Sequence, residues 1–190
     1  LGDVYKRQHL HLPIQSGNND ILKLMRRDHT VEEYQELIDE LKSEVPDISL
    51  TTDIIVGFPG ETDAQFWDTL KVMERIGYSS SFMFSYSPRP GTPASEFEDS
   101  VPLETKSKRL QEIIKLQNRL TQEQVQSYKG KTVEVLIEGG SSKPGYSFKG
   151  RNPQYWRVNL KGDEKKFQPG DIVQVNIEKT SGHSLSGLIQ

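Results

Sequence analysis

The stretch TTDIIVGFPGET, residues 51–62, decides the fold. With Ile48, Ser49 and Leu50 before it, the run through Val56 is rich in β-branched and apolar side chains, the composition of a strand buried on both faces, as in a parallel sheet. Gly57 ends the run. Thr62 and Gln65 then stand at capping-box spacing and open a helix that presents Phe66, Leu70 and Met73 and closes near Gly77. A strand that passes through a glycine-bearing turn into a capped helix is one βα unit.

The same grammar extends in both directions. Upstream, HLHLPIQ (residues 9–15) reads as a short buried strand, followed by a Ser-, Gly- and Asn-rich loop and helical spacing at Ile21, Leu24 and Met25. Thr30 and Glu33 form a second capping box, whose helix turns Tyr34, Leu37, Ile38 and Leu41 inward and is stopped by Pro46. Downstream, residues 81–86 alternate aromatic and small side chains as a strand does, and SPRPGTPAS (residues 87–95) is a stiff loop. Pro102 suits the first turn of a long helix reaching about Tyr128, with Leu103, Leu110, Ile113, Ile114 and Leu120 as its apolar positions. Three strand–helix repeats predict an α/β fold with a parallel sheet. Three strands are too few to close a barrel, so further units are expected ahead of them.

After Gly130 the pattern changes to five short β-like runs, residues 132–138, 146–151, 155–160, 171–179 and 184–190, separated by turn residues such as Gly139, Gly140 and Pro169-Gly170. They predict a small five-stranded, OB-like barrel, a shape often used for RNA. The expected organisation is a non-native leader over residues 1–8, whose LGDVYKRQ carries neither period nor cap, an α/β part over 9–127, and the barrel over 128–190.

Composition narrows the chemistry. None of the 190 residues is cysteine, which excludes disulfides, thiolate nucleophiles and any cysteine-ligated metal or cluster within them. No apolar run reaches membrane-spanning length and no signal-peptide pattern is present, so a cytoplasmic location is expected. Residues 1–126 hold 14 Lys and Arg against 21 Asp and Glu, and residues 127–190 hold 10 against 6. An acidic body with a basic tail points the tail toward an anion such as nucleic acid, though ordinary charge scatter gives the same totals.

Six loci stand out. Gln15 and Ser16 lie in LPIQSG, a βα loop of the kind that holds ligands in parallel sheets or simply turns the chain. Asp53 is a carboxylate in an apolar strand, costly to bury unpaired, so it has a partner or faces a cavity; Gly57 and Gly60 allow close backbone approach, and Glu61 precedes a helix start. Arg89, between Pro88 and Pro90, is a pre-stiffened cation suited to phosphate or carboxylate. The neighbouring Arg26 and Arg27 follow an amphipathic turn, where most such pairs are solvated and only one could face inward. His9 and His11 share a strand face, but no third ligand stands near, so they read as packed histidines and not as a metal site. In the tail, Lys149, Arg151, Tyr155, Trp156 and Arg157 interleave cations and aromatics, as base stacking with phosphate contact requires; strand alternation puts one of Tyr155 and Trp156 in the core.

Taken in order, HLPIQSG, LMRRDHT-x-EEY, TTDIIVGFPGETD and FSYSPRPGTPA resemble the methylthiotransferase family of radical S-adenosylmethionine enzymes. The VPLETKSKRLQEIIKLQN helix and the basic β tail, which resembles a TRAM domain, point to the branch acting on tRNA. The resemblance covers residues 9–190. It implies the carboxy-terminal half of a partial (β/α) radical-SAM barrel followed by an RNA-binding TRAM barrel. It implies addition of a methylthio group to isopentenylated adenosine beside the anticodon, with the tRNA anticodon stem-loop as partner. It also implies S-adenosylmethionine and two four-iron four-sulfur clusters. By the same resemblance Gln15, Ser16, Arg27, Asp53, Gly57 and Glu61 line the cofactor pocket, and Arg89 lies near the active site and joins Lys149, Arg151, Tyr155 and Arg157 on RNA. The family's cysteine triad and three further cysteines have no counterpart here. The chain is therefore expected to be a fragment, inactive alone, whose missing amino-terminal part carries the clusters. The alternatives are a branch acting on threonylcarbamoyladenosine tRNA or a ribosomal protein, and a stand-alone RNA-binding module.

Overall fold

A computed structural model of the protein describes residues 8–190, so the expected leader, Gln8 apart, lies outside the described residues. The chain forms two units, each with its own core.

In the α/β unit, strands β1 (His9–His11), β2 (Ser49–Val56) and β3 (Ser80–Ser85) lie in that order in one sheet. β2 and β3 are parallel, in register from Thr51 opposite Ser80 to Val56 opposite Ser85. The expected strand over residues 9–15 is regular only through His11 and is buried only at its end, at Ile14 and Gln15: Pro13 has no N–H to give the sheet, and Gln15 takes a left-handed φ of 73° that turns the chain. The chain still follows β2, since the Leu12 and Gln15 N–H groups donate to the Thr51 and Asp53 carbonyls at 2.8 and 2.9 Å.

β2 departs from expectation by alternating. Thr52, Ile54 and Val56 are buried, while Thr51, Asp53 and Ile55 are half-buried. Register places Asp53 beside Phe82 and Ile55 beside Phe84, and both phenylalanines are more than half exposed. One sheet face is therefore covered and the other is open.

Helices α1 (Asn19–Leu24), α2 (Val31–Glu44) and α3 (Asp63–Ile76) follow their predicted starts. Both capping boxes form, at Thr30 with Glu33 and at Thr62 with Gln65, each satisfying backbone donors that the first turn leaves orphaned. Gly77 closes α3 in the left-handed conformation. Phe66, Leu70 and Met73 are buried as expected. Leu37 is not: it sits at the margin of a face centred between Tyr34 and Ile38. Leu103 and Ile114 are likewise exposed, Leu103 as the first residue of α4 (Leu103–Gln126), while Ile113, Leu120 and Val125 are buried apolar residues of that helix. No described helix is long and apolar enough to cross a membrane.

α4 ties two loops together. Arg109 Nη1 meets Glu61 Oε2 at 2.7 Å and Arg109 Nη2 meets Asp63 Oδ1 at 2.7 Å. The Gly57 N–H donates to the same Glu61 oxygen at 2.6 Å. One turn earlier the Lys106 ammonium reaches both Asp99 oxygens at 2.6 Å, with its stem packed over Gly57. Gly57 has φ of 69°, and a Cβ there would lie 2.4 Å from Lys106 Cγ, so both conformation and space require glycine. Burial pushes the Glu61 carboxyl pKa up, against the Gly57 N–H and Arg109 that hold it charged.

The second unit is a closed barrel of β4 (Thr132–Gly140), β5 (Phe148–Arg151), β6 (Arg157–Lys161), β7 (Ile172–Ser181) and β8 (Ser184–Ile189), in the order β4-β5-β6-β8-β7. The parallel β6–β8 pair completes the ring and leaves no open edge. Alternate residues point inward, so Val135, Ile137, Val158, Leu160, Val175 and Ile177 fill the core at 1% exposure or less. Gly150 sits where strands approach closely: an added Cβ would stand 2.2 Å from the Leu136 carbonyl oxygen. Trp156 packs into this core from the inner side, and Tyr155, at φ of 71°, faces out.

Two outcomes test this architecture. Arg109→Met leaves the buried Glu61 carboxylate without its cation and lowers stability by about 3–5 kcal/mol, and adding Glu61→Gln recovers part of that loss. Ile177→Ala empties the barrel's centre and costs about 2–5 kcal/mol. Urea denaturation of each variant measures both.

Candidate functional site

The open sheet face leads to a cavity of about 680 Å³ at the carboxyl ends of the strands, where parallel α/β folds hold ligands. β2 contributes Asp53 and Ile55, β3 contributes Phe84 and Ser85, and the loops contribute Gln15, Arg26, Arg27 and Arg89. The left-handed turn at Gln15 places a buried amide in the wall; its backbone is fixed on β2 by the bond to Asp53 O and by the Ile55 N–H donating to Gln15 O at 2.9 Å.

Asp53 meets the expected demand for a partner in two ways. It is half-buried, so water reaches it, and its Oδ1 lies 3.4 Å from His11 Nε2. His11 Nδ1 is in turn 3.1 Å from Thr51 Oγ1, and its ring meets the edge of Phe82 at 5.9 Å. His11 is thus a hydrogen-bonded histidine, though an exposed one and not the packed residue expected. Among the described residues no group of three or more His, Cys, Asp or Glu is arranged to hold a metal ion.

Arg26 and Arg27 are both exposed, as most such pairs are, yet both line the cavity, where only one could have faced inward on spacing alone. The reason is the end of α1. The Arg27 N–H donates to Leu22 O and the Arg26 N–H to Lys23 O, both at 3.0 Å, a Schellman closure with Arg26 at φ of 56°. Arg89 reaches the cavity from a loop whose turn is pinned by Thr92, whose N–H and Oγ1 donate to Arg89 O at 3.2 and 2.8 Å. Phe58, packed edge-on against Tyr86 at 5.0 Å, supplies an apolar wall.

Three expected cofactor residues stand behind this wall and not in it. Ser16 is fully buried and its Oγ accepts the Asn18 N–H at 3.3 Å. Gly57 and Glu61 are turned into the Lys106 and Arg109 bracing. All three take part in contacts that hold the turns on either side of the cavity. Arg26 and the aromatic wall were missed; the left-handed backbone that aims Arg26 has no residue-type signal, since arginine rarely adopts it.

On the barrel, Lys143, Lys149, Arg151 and Arg157 line a second cavity of about 440 Å³, with Asn159 and Ser184 in its wall. Its one lining carboxylate, Glu138, is engaged by Arg151 Nε at 3.1 Å. Lys143 and Asn159 escaped the sequence reading because they lie in a turn and on a buried strand position. Tyr155 lies outside this cavity. It is more than half exposed, and the Arg151 guanidinium lies 4.0 Å from its ring centre.

Residues 4–73 match the Radical SAM superfamily and residues 126–189 match the TRAM domain. The chain is 45% identical, over 96% of its length, to the tRNA-2-methylthio-N(6)-dimethylallyladenosine synthase of Acetivibrio thermocellus. It is 45% identical over 95% to that of Halalkalibacterium halodurans and 44% identical over 94% to that of Bacillus subtilis. It spans 38%, 33% and 35% of the length of those relatives. The chain thus pairs a region similar to the Radical SAM superfamily, with an open-faced parallel sheet and a strand-end cavity, with a closed barrel similar to the TRAM domain, and nearly all of it is similar to part of those three synthases.

Proposed function

We propose that the chain is the carboxy-terminal part of a cytoplasmic tRNA methylthiotransferase that adds a methylthio group to isopentenylated adenosine beside the anticodon. Residues 9–127 then form part of the radical-SAM core, and residues 128–190 form the TRAM domain that grips the anticodon stem-loop. The observation that supports this reading is the pairing of chemistries: a strand-end cavity with one carboxylate and neutral amide contacts, and a separate barrel surface lined by four cations.

The donor set of the first cavity fits S-adenosylmethionine. Asp53 is the carboxylate for the amino-acid ammonium or a ribose hydroxyl, Arg27 the cation for the carboxylate, and Gln15 a neutral amide for either. Phe58 offers an apolar surface for the adenine. When bound, this cofactor supplies the methyl group and the radical chemistry of the transfer. The residues named here bind and orient it, and the apolar wall excludes water. The family's two iron–sulfur clusters do not fit this chain, because their ligands are thiolates and the sequence has no cysteine. Those ligands are assigned to the amino-terminal part of the full protein, so the chain alone is inactive.

Anaerobic reconstitution of the chain with iron and sulfide leaves it colourless in absorption spectra; a brown, cluster-absorbing product overturns the fragment assignment. On the barrel, Lys149→Gln with Arg157→Gln weakens binding of a synthetic anticodon stem-loop, and the slope of log affinity against log salt falls by about 0.7–0.9 for each phosphate that is no longer neutralised. An unchanged slope in fluorescence-anisotropy titrations removes the barrel from the RNA interface.

A further inference from the structure

The α/β unit treats its arginines in two ways. Arg75, Arg109 and Arg119 each meet a carboxylate, at 3.0, 2.7 and 2.6 Å. Arg26, Arg27 and Arg89 make no ion pair among the described residues, and all three line the strand-end cavity. This happens in the acid-rich part of the chain, where 21 Asp and Glu stand against 14 Lys and Arg over residues 1–126, so partners are not scarce. Three guanidinium groups face one carboxylate, Asp53, in the cavity wall.

The cofactor does not balance that charge. S-adenosylmethionine has one carboxylate, an ammonium and a sulfonium, so it occupies one guanidinium and brings net positive charge of its own. Two cations are left over, and gathering them around a cationic ligand is unfavourable unless a further anion arrives. Both leftover groups are pre-positioned. Arg26 holds a left-handed backbone at a helix end where glycine is the preferred residue, and strain of this kind survives where the side chain is needed. Arg89 is fixed by its flanking prolines and by the Thr92 hydroxyl on its carbonyl.

The geometry points to Arg26 and Arg89 as a phosphate clamp for the RNA backbone at the rim of this cavity, separate from the cofactor contact of Arg27 and from the cationic surface of the barrel. The clamp rests on the RNA reading given above and deepens it. It holds the phosphodiester next to the nucleoside that enters the cavity, so RNA is gripped at the reacting end as well as by the barrel.

The test uses the whole chain with a synthetic anticodon stem-loop, titrated by anisotropy across a salt series. Arg26→Gly relieves the left-handed strain, so its Tm is unchanged or higher, yet its salt slope falls by about 0.7–0.9, as it does for Arg89→Gln, and the double variant falls by both decrements. The Lys149→Gln, Arg157→Gln chain serves as the reference for the barrel, and its decrement adds to that of the clamp variants. If wild type binds with a salt-dependent affinity and the clamp variants keep its slope, the clamp is overturned while the RNA reading stands. If wild type does not bind RNA at low salt, the RNA reading fails and takes the clamp with it. A fall in Tm for Arg26→Gly that parallels its weaker binding also overturns the clamp, because the arginine is then structural.

Discussion

The shape of the strand-end cavity depends on one buried ion pair. Glu61 and Arg109 are both almost fully removed from water, and the same Glu61 oxygen that meets Arg109 also takes the Gly57 N–H. Two charges leave water at a cost of several kcal/mol each, offset only by close geometry and further hydrogen bonds. Here the offset is incomplete, since Glu61 Oε1 and Arg109 Nε have no hydrogen-bond partner. An apolar pair of similar volume would be no less stable. What the ionic pair adds is direction: it clamps the turn after β2 onto α4, so that Phe58 faces the cavity.

Lys106 extends the same logic to the loop after β3. Its buried ammonium binds Asp99 and lies 5.2 Å from the centre of the Tyr86 ring, and Tyr86 packs on Phe58. Two basic residues one helical turn apart therefore fix the two loops that frame the ligand space. Arg89 belongs to the second of these loops, whereas Arg26 and Arg27 are set by the closure of α1.

Much of this was legible in the sequence, and the failures have definite causes. The capping boxes at Thr30 and Thr62 were readable because a side chain three residues from its partner is a local geometric fact, and the barrel strands because inward positions recur every second residue. Asp53 was readable as an anomaly, a charge in an apolar run. Glu61 was readable as special but not as structural, because its partner lies 48 residues away on a helix whose polar face looks like any solvated one. Ser16 is similar: residue type marks a serine in a strand-end loop, but the bond its Oγ accepts from the Asn18 N–H is visible only in the structure. Leu37 and Leu103 show the limit of periodicity, which finds a helix face but not its edges.

The backbone supplies a separate signal that residue types conceal. Among the described residues only Gln15, Arg26 and Tyr155 adopt positive φ without being glycine. Each conformation costs about 1 kcal/mol or more relative to glycine, and mutation would remove that cost easily. Two of the three line the strand-end cavity, and the third has its ring on Arg151, one of the cations of the barrel surface. If these strained sites were accidents of folding they would be scattered over turns, where the chain has many. Two of the three instead meet in one cavity wall, where the left-handed backbone sets the direction of a lining side chain.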